Sequence, residues 1–315
     1  MHRNDLIWMH PFFTAKMKFK TFGLISLTLV YLLILAGGIV RSTGSGMGCP
    51  DWPKCFGRFI PPTEVSQLPL NYTEIYQEKL HGEVLFNPTK TWIEYLNRLL
   101  GALTGLSVLI TTIFAWKENK KTFLFSLLAL VFVLANAVLG KYVVDSFLLP
   151  GVVTAHMILT IAVIYFLLKA LLHNKEKIKI SKEMKNWVII NLAFIAIQII
   201  LGTQVRENMD HVIQKFGESQ KDLWIDNLSN VYIIHRSFTW VIIISSIYLY
   251  RKLNINHTEI VTYKNQLITF LAISVISGVI MAYLAMPMCS QPIHLTLSLL
   301  ILGLHMKALI KFQND

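Results

Sequence analysis

Apolar residues occur in long runs that alternate with short polar stretches along the whole chain. Eight runs have about 19 residues or more, and a helix of about 20 residues crosses the hydrocarbon core of a bilayer. They cover residues 22–40, 93–115, 123–144, 152–172, 187–205, 230–250, 267–286 and 292–311. The pattern predicts an all-α integral membrane protein with eight transmembrane helices.

The composition favours the same class. Of the 315 residues, 54% are hydrophobic and 15% are charged, whereas a soluble protein carries about 25% charged residues. The net charge of +11 would suit a nucleic-acid binder, but the basic residues concentrate in alternate loops, as membrane topology signals do. We therefore expect contact with membrane lipid and no nucleic-acid partner.

The same basic residues indicate how the helices are oriented. If the N-terminus is cytoplasmic, the cytoplasmic segments hold 17 Lys and Arg residues, and the longer opposite segments hold 9. Cytoplasmic loops carry the excess of basic residues in membrane proteins. Both termini are predicted to lie in the cytoplasm.

The two halves of the chain share a spacing that indicates duplication. Asn97 precedes His156 by 59 residues, and His235 precedes His294 by 59 residues. Further matches pair Gly140 with Gly278, and the segment 37–41 with the segment 202–206. A unit of four helices has an even number of crossings, so both copies have the same orientation, as parallel repeats do.

This duplication predicts two parallel-repeat four-helix bundles and divides the chain into five parts. They are a cytoplasmic N-terminal lead over 1–21, an N-terminal bundle over 22–172 with an extracytoplasmic loop over 41–91, a cytoplasmic linker over 173–186, a C-terminal bundle over 187–311 and a cytoplasmic tail over 312–315.

The paired positions lie near the outer ends of their predicted helices, at similar depth. Two imidazoles that face each other inside a helix bundle suit axial ligation of heme iron. A lone histidine there would more often be a hydrogen-bonded interfacial residue, but the matched spacing favours ligands. His156, His235 and His294 are therefore candidate iron ligands, whereas His305, near the cytoplasmic end of the last helix, is interpreted as interfacial.

Four arginines lie on the same side of the predicted membrane. Arg98 and Arg236 directly follow two of the paired positions, and Arg41 and Arg206 end two other apolar runs. Guanidinium groups at this depth suit heme propionates. Snorkelling to the membrane interface explains any single one of them equally well.

Glu94 lies three residues before Asn97, on the same helix face, and Tyr232 takes its place in the second half. A carboxylate present in one copy suggests that the two sites differ in role, with Glu94 as a proton carrier. The alternative is a charge that complements the N-terminal dipole of the helix.

The segment after the first apolar run is the most specific motif. Residues 40–55 read Val-Arg-Ser-Thr-Gly-Ser-Gly-Met-Gly-Cys-Pro-Asp-Trp-Pro-Lys-Cys, and the segments 202–206, 234–236 and 291–294 support it. With these motifs the chain resembles the heme A synthase family over essentially its whole length. The resemblance implies oxidation of the C8 methyl group of heme O to a formyl group, which gives heme A for terminal oxidases.

The resemblance also implies where the hemes bind. A b-type heme would occupy the C-terminal half with His235 and His294 as ligands, and heme O would be the substrate in the N-terminal half, facing His156. Glu94 matches the acidic position of the family, so Glu94, Asn97 and His156 are the expected catalytic residues of this half. We expect the bacterial inner membrane as the location, with heme O synthase and cytochrome oxidase assembly proteins as partners. Assembly of the protein into a homo-oligomer is left open by the sequence.

Three cysteines are present, all in predicted outer loops. Cys49 and Cys55 match the outer-loop cysteines of the family, and a disulfide can form outside the cytoplasm. A structural staple and exchange with a thiol partner both remain open for this pair. Cys289 lies alone.

Asn97 departs from the family pattern, which has histidine there in a Glu-x-x-His-Arg sequence. Because asparagine is a poor iron ligand, we expect His156 alone to hold the substrate heme and leave the other face of its iron open, as oxygen binding requires. A weakened or repurposed site is the alternative interpretation.

Two other function classes stay open on the sequence. A diheme b-type electron-transfer cytochrome would place its hemes at two depths along one bundle, whereas these candidate ligands lie at one depth in two bundles. A heme-binding oxidase assembly factor without catalysis would not need Glu94.

Overall fold

The computed structural model describes residues 5–76, 86–146, 151–284 and 286–315, and in this part of the chain the structure is almost entirely helical. Its elements are α1 (Asp5–Ser42), α2 (Tyr72–Tyr76), α3 (Pro88–Ala115), α4 (Lys120–Asp145), α5 (Val152–Leu172), β1 (Ile178–Ile180), α6 (Lys182–Phe216), α7 (Asn230–Lys252), α8 (Thr258–Tyr283), α9 (Ser290–Lys311) and β2 (Phe312–Asn314). Eight of the described helices are long and apolar enough to span a membrane. The predicted all-α integral membrane class is confirmed.

The helix starts follow local capping chemistry. The side chain of Asn87 accepts a hydrogen bond from the Lys90 backbone amide, and Pro88 occupies the first turn of α3. Asn119 caps α4 and Ser181 caps α6 in the same way. Each cap satisfies a backbone N–H that the helix itself leaves without a partner.

Two helices extend well beyond the apolar runs that predicted them. Helix α6 continues to Phe216, although its apolar run ends at residue 205, and α1 begins at Asp5, inside the predicted lead over 1–21. Hydropathy reports where the apolar stretch ends, whereas a helix continues as long as its backbone bonds remain favourable.

Each helix packs against its neighbours in a regular order. In the first half α1 contacts α3, α3 contacts α4, α4 contacts α5, and α5 returns to α1. In the second half the same order joins α6, α7, α8 and α9, and α9 also packs against α1 and α5. Glycines allow the close approach of α1 and α9: a Cβ on Gly38 would lie 2.9 Å from the Pro292 Cα, and one on Gly303 would lie 2.2 Å from the Tyr31 hydroxyl.

We call the end of the helices that carries residues 43–76 the loop end. Residues 43–76 form a small folded unit, the cap, with a buried core of its own. That core comprises Cys49, Cys55, Phe56, Leu68 and Tyr76. Burial and the nearby Asp51 carboxylate raise the pKa of the Tyr76 hydroxyl. The cap is thus packed structure rather than an open loop.

We call the opposite end, which carries β1 and β2, the sheet end. The two strands pair in parallel, with Ile178 opposite Phe312, so the linker between the halves is bound to the C-terminal residues. Lys177 reinforces this contact by donating to the Ile310 carbonyl at 2.8 Å. Its burial, together with the nearby charges of Lys169 and Lys311, lowers the pKa of the Lys177 ammonium.

His305, which the sequence suggested to be an interfacial residue, is enclosed by the protein. Its side chain is completely buried, its Nδ1 lies 2.9 Å from the Ile301 carbonyl, and its ring packs edge-on against Tyr263. The residue lies near the end of an apolar helix, but neighbouring α8 and the final strand cover that end. Its position along the helix therefore did not predict its burial.

Candidate functional site

The complete pair of the C-terminal half comes together in the structure. His235 on α7 and His294 on α9 face each other with ring centroids 6.3 Å apart and planes inclined by 68°. Residues 59 positions apart in the chain meet because α9 returns beside α6, and α6 packs on α7. The spacing between the rings leaves room for one atom that both imidazoles could bind.

Two serines set the orientation of the His294 ring. Its Nδ1 lies 2.9 Å from the Ser274 carbonyl oxygen and 2.9 Å from the Ser277 hydroxyl. A carbonyl only accepts hydrogen bonds, so Nδ1 carries the proton and Nε2 keeps a free lone pair. Metal-binding histidines are usually oriented by such a bond from the other ring nitrogen.

Each of the three candidate histidines lies against a glycine of a neighbouring helix. A Cβ would lie 3.3 Å from the nearest ring atom if placed on Gly202, beside His235, and 3.4 Å if placed on Gly278, beside His294. Gly140 has the same relation to His156, at 3.4 Å. The glycines therefore allow these rings to approach the neighbouring helix backbone.

Asn97 occupies the fourth equivalent position, in the N-terminal half. Its Oδ1 lies 4.0 Å from the Cβ position of Gly37 on α1, so the glycine is retained although the histidine is absent. Among the described residues, the buried Asn97 Oδ1 and His156 Nδ1 have no hydrogen-bond partner. Two buried polar atoms without partners are costly in a protein interior, and they fit a site that receives a ligand.

Glu94 is buried, with 3% of its surface exposed, and its two oxygens are both engaged. Oε2 accepts the Cys49 backbone N–H at 2.9 Å, and Oε1 accepts an Arg98 N–H at 2.5 Å. Arg98 also donates to the backbone carbonyls of Cys49, Asp51 and Lys54 in the cap. The structure thus directs both charged side chains toward the cap, and the propionate role of Arg98 stays a prediction.

The cap is docked on the first turns of α3 through further contacts. Thr91 donates to the Gly48 carbonyl at 2.9 Å, and a Cβ on Gly48 would lie 2.6 Å from the Lys90 carbonyl oxygen. Cys49 and Cys55 form a disulfide, and Cys289 is an exposed free cysteine. The cap therefore contacts the same helix that carries Glu94 and Asn97.

The remaining predicted arginines also have partners. Arg41 contacts the Asp210 carboxylate at 2.5 Å, and Arg206 contacts the same carboxylate at 2.7 Å. Arg236 donates to the Tyr283 hydroxyl at 3.0 Å. Their propionate role stays a prediction, and Asp210 is a partner that the sequence did not reveal.

Sequence reasoning missed several polar residues that support the histidines. Gln198 donates to the His235 carbonyl at 3.0 Å and to the Thr239 hydroxyl at 2.9 Å. Asn136 donates to Thr160 at 2.8 Å. Gln198, Asn136 and Ser274 each lie four residues before a glycine that contacts a histidine, so their position on the glycine face of the helix was a usable signal.

A site for a bare metal ion would look different from these pairs. No group of three or more His, Cys, Asp or Glu side chains suited to a metal ion occurs in the ranges that the structure describes. The donor set of the C-terminal half is two imidazoles in an apolar bundle. That set fits the two axial positions of a heme.

Comparison with known families agrees with this geometry. Residues 20–306 match the COX15-CtaA family, which is described as cytochrome oxidase assembly protein. The chain belongs to this family. Because the match covers all eight long helices almost completely, COX15-CtaA membership applies to both halves and to the cap between α1 and α3.

Proteins similar to this chain include the heme A synthases of several bacteria. The chain is 30% identical to the heme A synthase of Ehrlichia canis over 71% of this chain and 75% of that protein. It is 24% identical to that of Rickettsia prowazekii over 92% and 97%, and 27% identical to that of Shewanella oneidensis over 65% and 63%. With the Shewanella relative, the similarity therefore spans less than two thirds of the relative's length.

Proposed function

We propose that the protein is a heme A synthase, an oxidoreductase that oxidises the C8 methyl group of heme O to a formyl group. The observation that carries the proposal is the difference between the two pairs of residues that lie beside glycines, His235 with His294 and Asn97 with His156. One half holds two facing histidines, and the other holds His156 and Asn97 on the helix faces that Gly140 and Gly37 approach. The names of the relatives support the same activity.

The helices form two parallel-repeat four-helix bundles, over 22–172 and 187–311. The equivalent order of helix contacts in the two halves supports this arrangement. The loop end faces the outside of the bacterial inner membrane, and the sheet end with both termini faces the cytoplasm. The excess of basic residues in the segments of the sheet end supports that orientation.

His235 and His294 hold the resident b-type heme of the C-terminal half. When bound, this heme supplies one-electron transfer. Ser274 and Ser277 keep the His294 ring in place, and Gln198 secures the backbone of α7 at His235. Arg206 and Arg236 lie on the loop-end side of these ligands, where heme propionates require cationic partners.

His156 holds the iron of heme O from one side, and Asn97 lies at the position that a second ligand would occupy. An amide binds iron poorly but donates hydrogen bonds, so Asn97 orients a small molecule rather than closing the site. Arg41 and Arg98 are the cations of this half. Heme O synthase, as the source of the substrate, and oxidase assembly proteins, as users of the product, are the expected partners.

Glu94 accepts or donates a proton in this half. Both of its oxygens already accept N–H bonds, from Cys49 and Arg98. Each oxygen keeps a further lone pair, so Glu94 can take up a proton while it stays bound to the cap and to Arg98.

The proposal is tested by product analysis. The full chain is expressed with a heme O synthase in a bacterial host that makes no heme A, and the extracted hemes are separated by chromatography. We expect heme A or its hydroxylated precursor. The matched variant His156→Ala should stop product formation and keep the resident heme.

Two outcomes would count against the proposal. If the wild-type chain holds its resident heme but forms no oxidised product, the synthase activity is refuted and an assembly factor remains. If the purified protein holds two stable b hemes without product, the electron-transfer cytochrome is supported instead.

A further inference from the structure

A cluster of three charged side chains joins the two halves at the loop end. Arg41 lies at the end of α1 in the first half, and Arg206 and Asp210 lie on α6 in the second half. One Asp210 oxygen is 2.5 Å from Arg41 Nη2, and its other oxygen is 2.7 Å from Arg206 Nη2. Arg206 also donates to the Arg41 carbonyl at 3.3 Å. A single carboxylate thus binds one arginine from each half.

Each arginine lies one helical turn from the glycine of its own site. Arg41 follows Gly37 by four residues, and Arg206 follows Gly202 by four residues. Residues four apart share a helix face, so each guanidinium lies on the face that its glycine presents to Asn97 or His235. The turn toward the loop end is the place where propionates of a heme in each site would extend.

Both arginines retain an unused donor. The Nε atoms of Arg41 and Arg206 are buried and have no hydrogen-bond partner within the described ranges. Each arginine side chain is only 20% exposed. A buried guanidinium N–H without a partner is costly unless a ligand or water accepts from it. A propionate oxygen is an acceptor of the required charge.

We propose that Asp210 is a shared positioning residue that holds the propionate-binding arginines of both heme sites and couples the two sites electrostatically. This inference rests on the proposed function, because it requires a heme in each half. Asp210 touches neither heme. It acts by holding two guanidinium groups with one carboxylate. A change at one arginine therefore alters how strongly Asp210 binds the other arginine.

The proposal makes a prediction for the resident heme. Asp210→Asn removes the negative charge between two arginines and leaves more positive charge near the heme. Positive charge stabilises the reduced iron, so the midpoint potential of the resident heme should rise. The measurement is a redox titration of the purified full-length protein, followed by its heme absorption bands.

Two variants serve as controls. Asp222→Asn removes the same charge from an exposed position in the segment between α6 and α7 and should leave the potential unchanged. Asp210→Glu keeps the charge and should restore most of the wild-type potential. If Asp210→Asn and Asp222→Asn give the same potential, the inference is refuted.

A double-mutant cycle tests the coupling between halves and does not depend on one variant. Arg41→Gln, in the first half, frees Asp210 to pair with Arg206 alone and should lower the potential of the resident heme in the second half. The shift in midpoint potential that Arg41→Gln causes should differ between the wild-type chain and the Asp210→Asn variant by more than the error of the titration. Additive shifts would overturn the coupling. A wild-type chain that binds no heme would instead overturn the proposed function.

Discussion

The two halves of the molecule use the same frame to build different sites. In each half two glycines lie beside two paired positions, yet the second half has histidine at both and the first half has Asn97 with His156. The surroundings differ at one histidine: His294 is held by two serine groups, whereas the Nδ1 atoms of His156 and His235 have no partner among the described residues. A complete pair of histidines suits a permanent heme, and an incomplete pair suits a substrate that must enter and leave.

The cap makes the halves differ further. In the first half Glu94 and Arg98 hold the cap through its backbone. At the equivalent positions of the second half the chain has Tyr232 and Arg236, and Arg236 donates to Tyr283 on α8 instead. The two halves therefore share the same order of helix contacts and differ in the polar residues at the loop end.

Loss of a ligand from the complete pair should have the largest effect. His294→Ala leaves His235 without the second imidazole. Because the heme then keeps only one axial ligand from the protein, we expect the heme content of the purified protein to fall about tenfold. His156→Ala is the matched variant and should retain that heme. Heme content per protein, measured by pyridine hemochrome absorption, decides between them. Equal losses in both variants would contradict the division of roles.

Glu94→Gln should reduce product formation by about 10²-fold or more, because it removes a group that can carry a proton. The matched variant is Tyr232→Phe at the equivalent position of the second half, which should keep most of the activity. Product yield per resident heme is the measurement. A thermal melt of each variant checks that the fold is kept. Removal of one partner of a buried ion pair costs about 3–5 kcal/mol of stability, and glutamine limits that cost because it retains the size of the side chain. Unchanged yield with Glu94→Gln would exclude the proton role.

Alanine should have opposite effects on stability at two of the glycines beside the paired positions. Gly202→Ala forces a Cβ to 3.3 Å from His235, and overpacking of this kind costs about 1–3 kcal/mol. Gly37→Ala meets Asn97 only at 4.0 Å and should be neutral or slightly stabilising, because alanine favours a helix over glycine by about 1 kcal/mol. Denaturation midpoints of the two variants provide the comparison. An equal loss of stability would show that the space beside Asn97 is as tight as the space beside His235.

Asn97→His should have the smallest effect on heme quantity and a clear effect on coordination. The new imidazole completes the first pair, so substrate heme should become six-coordinate while the total heme bound stays the same. The absorption spectrum of the ferric protein loaded with heme O reports the change. Identical spectra for Asn97→His and the wild-type chain would argue against a position of Asn97 that faces the iron.

Much of this protein could be predicted from its sequence. The eight apolar runs predicted the eight membrane-spanning helices because the thickness of the bilayer sets the length of a helix. The repeated 59-residue spacing predicted that His235 and His294 would face each other, and the structure brings their rings to 6.3 Å. These features depend on period and length, which a linear sequence records directly.

Tertiary packing decided the rest. Asp210 meets Arg41 only because the last turn of α1 lies beside residues 206–210 of α6, and Glu94 binds the Cys49 amide only because the cap folds back onto α3. His305 is buried because α8 and the final strand cover it. The sequence by itself determined the membrane class and the repeated spacing of the candidate ligands, since local hydropathy and distance along the chain record them. The partners of the charged residues came from contacts between distant segments, whose geometry exists only after the helices pack.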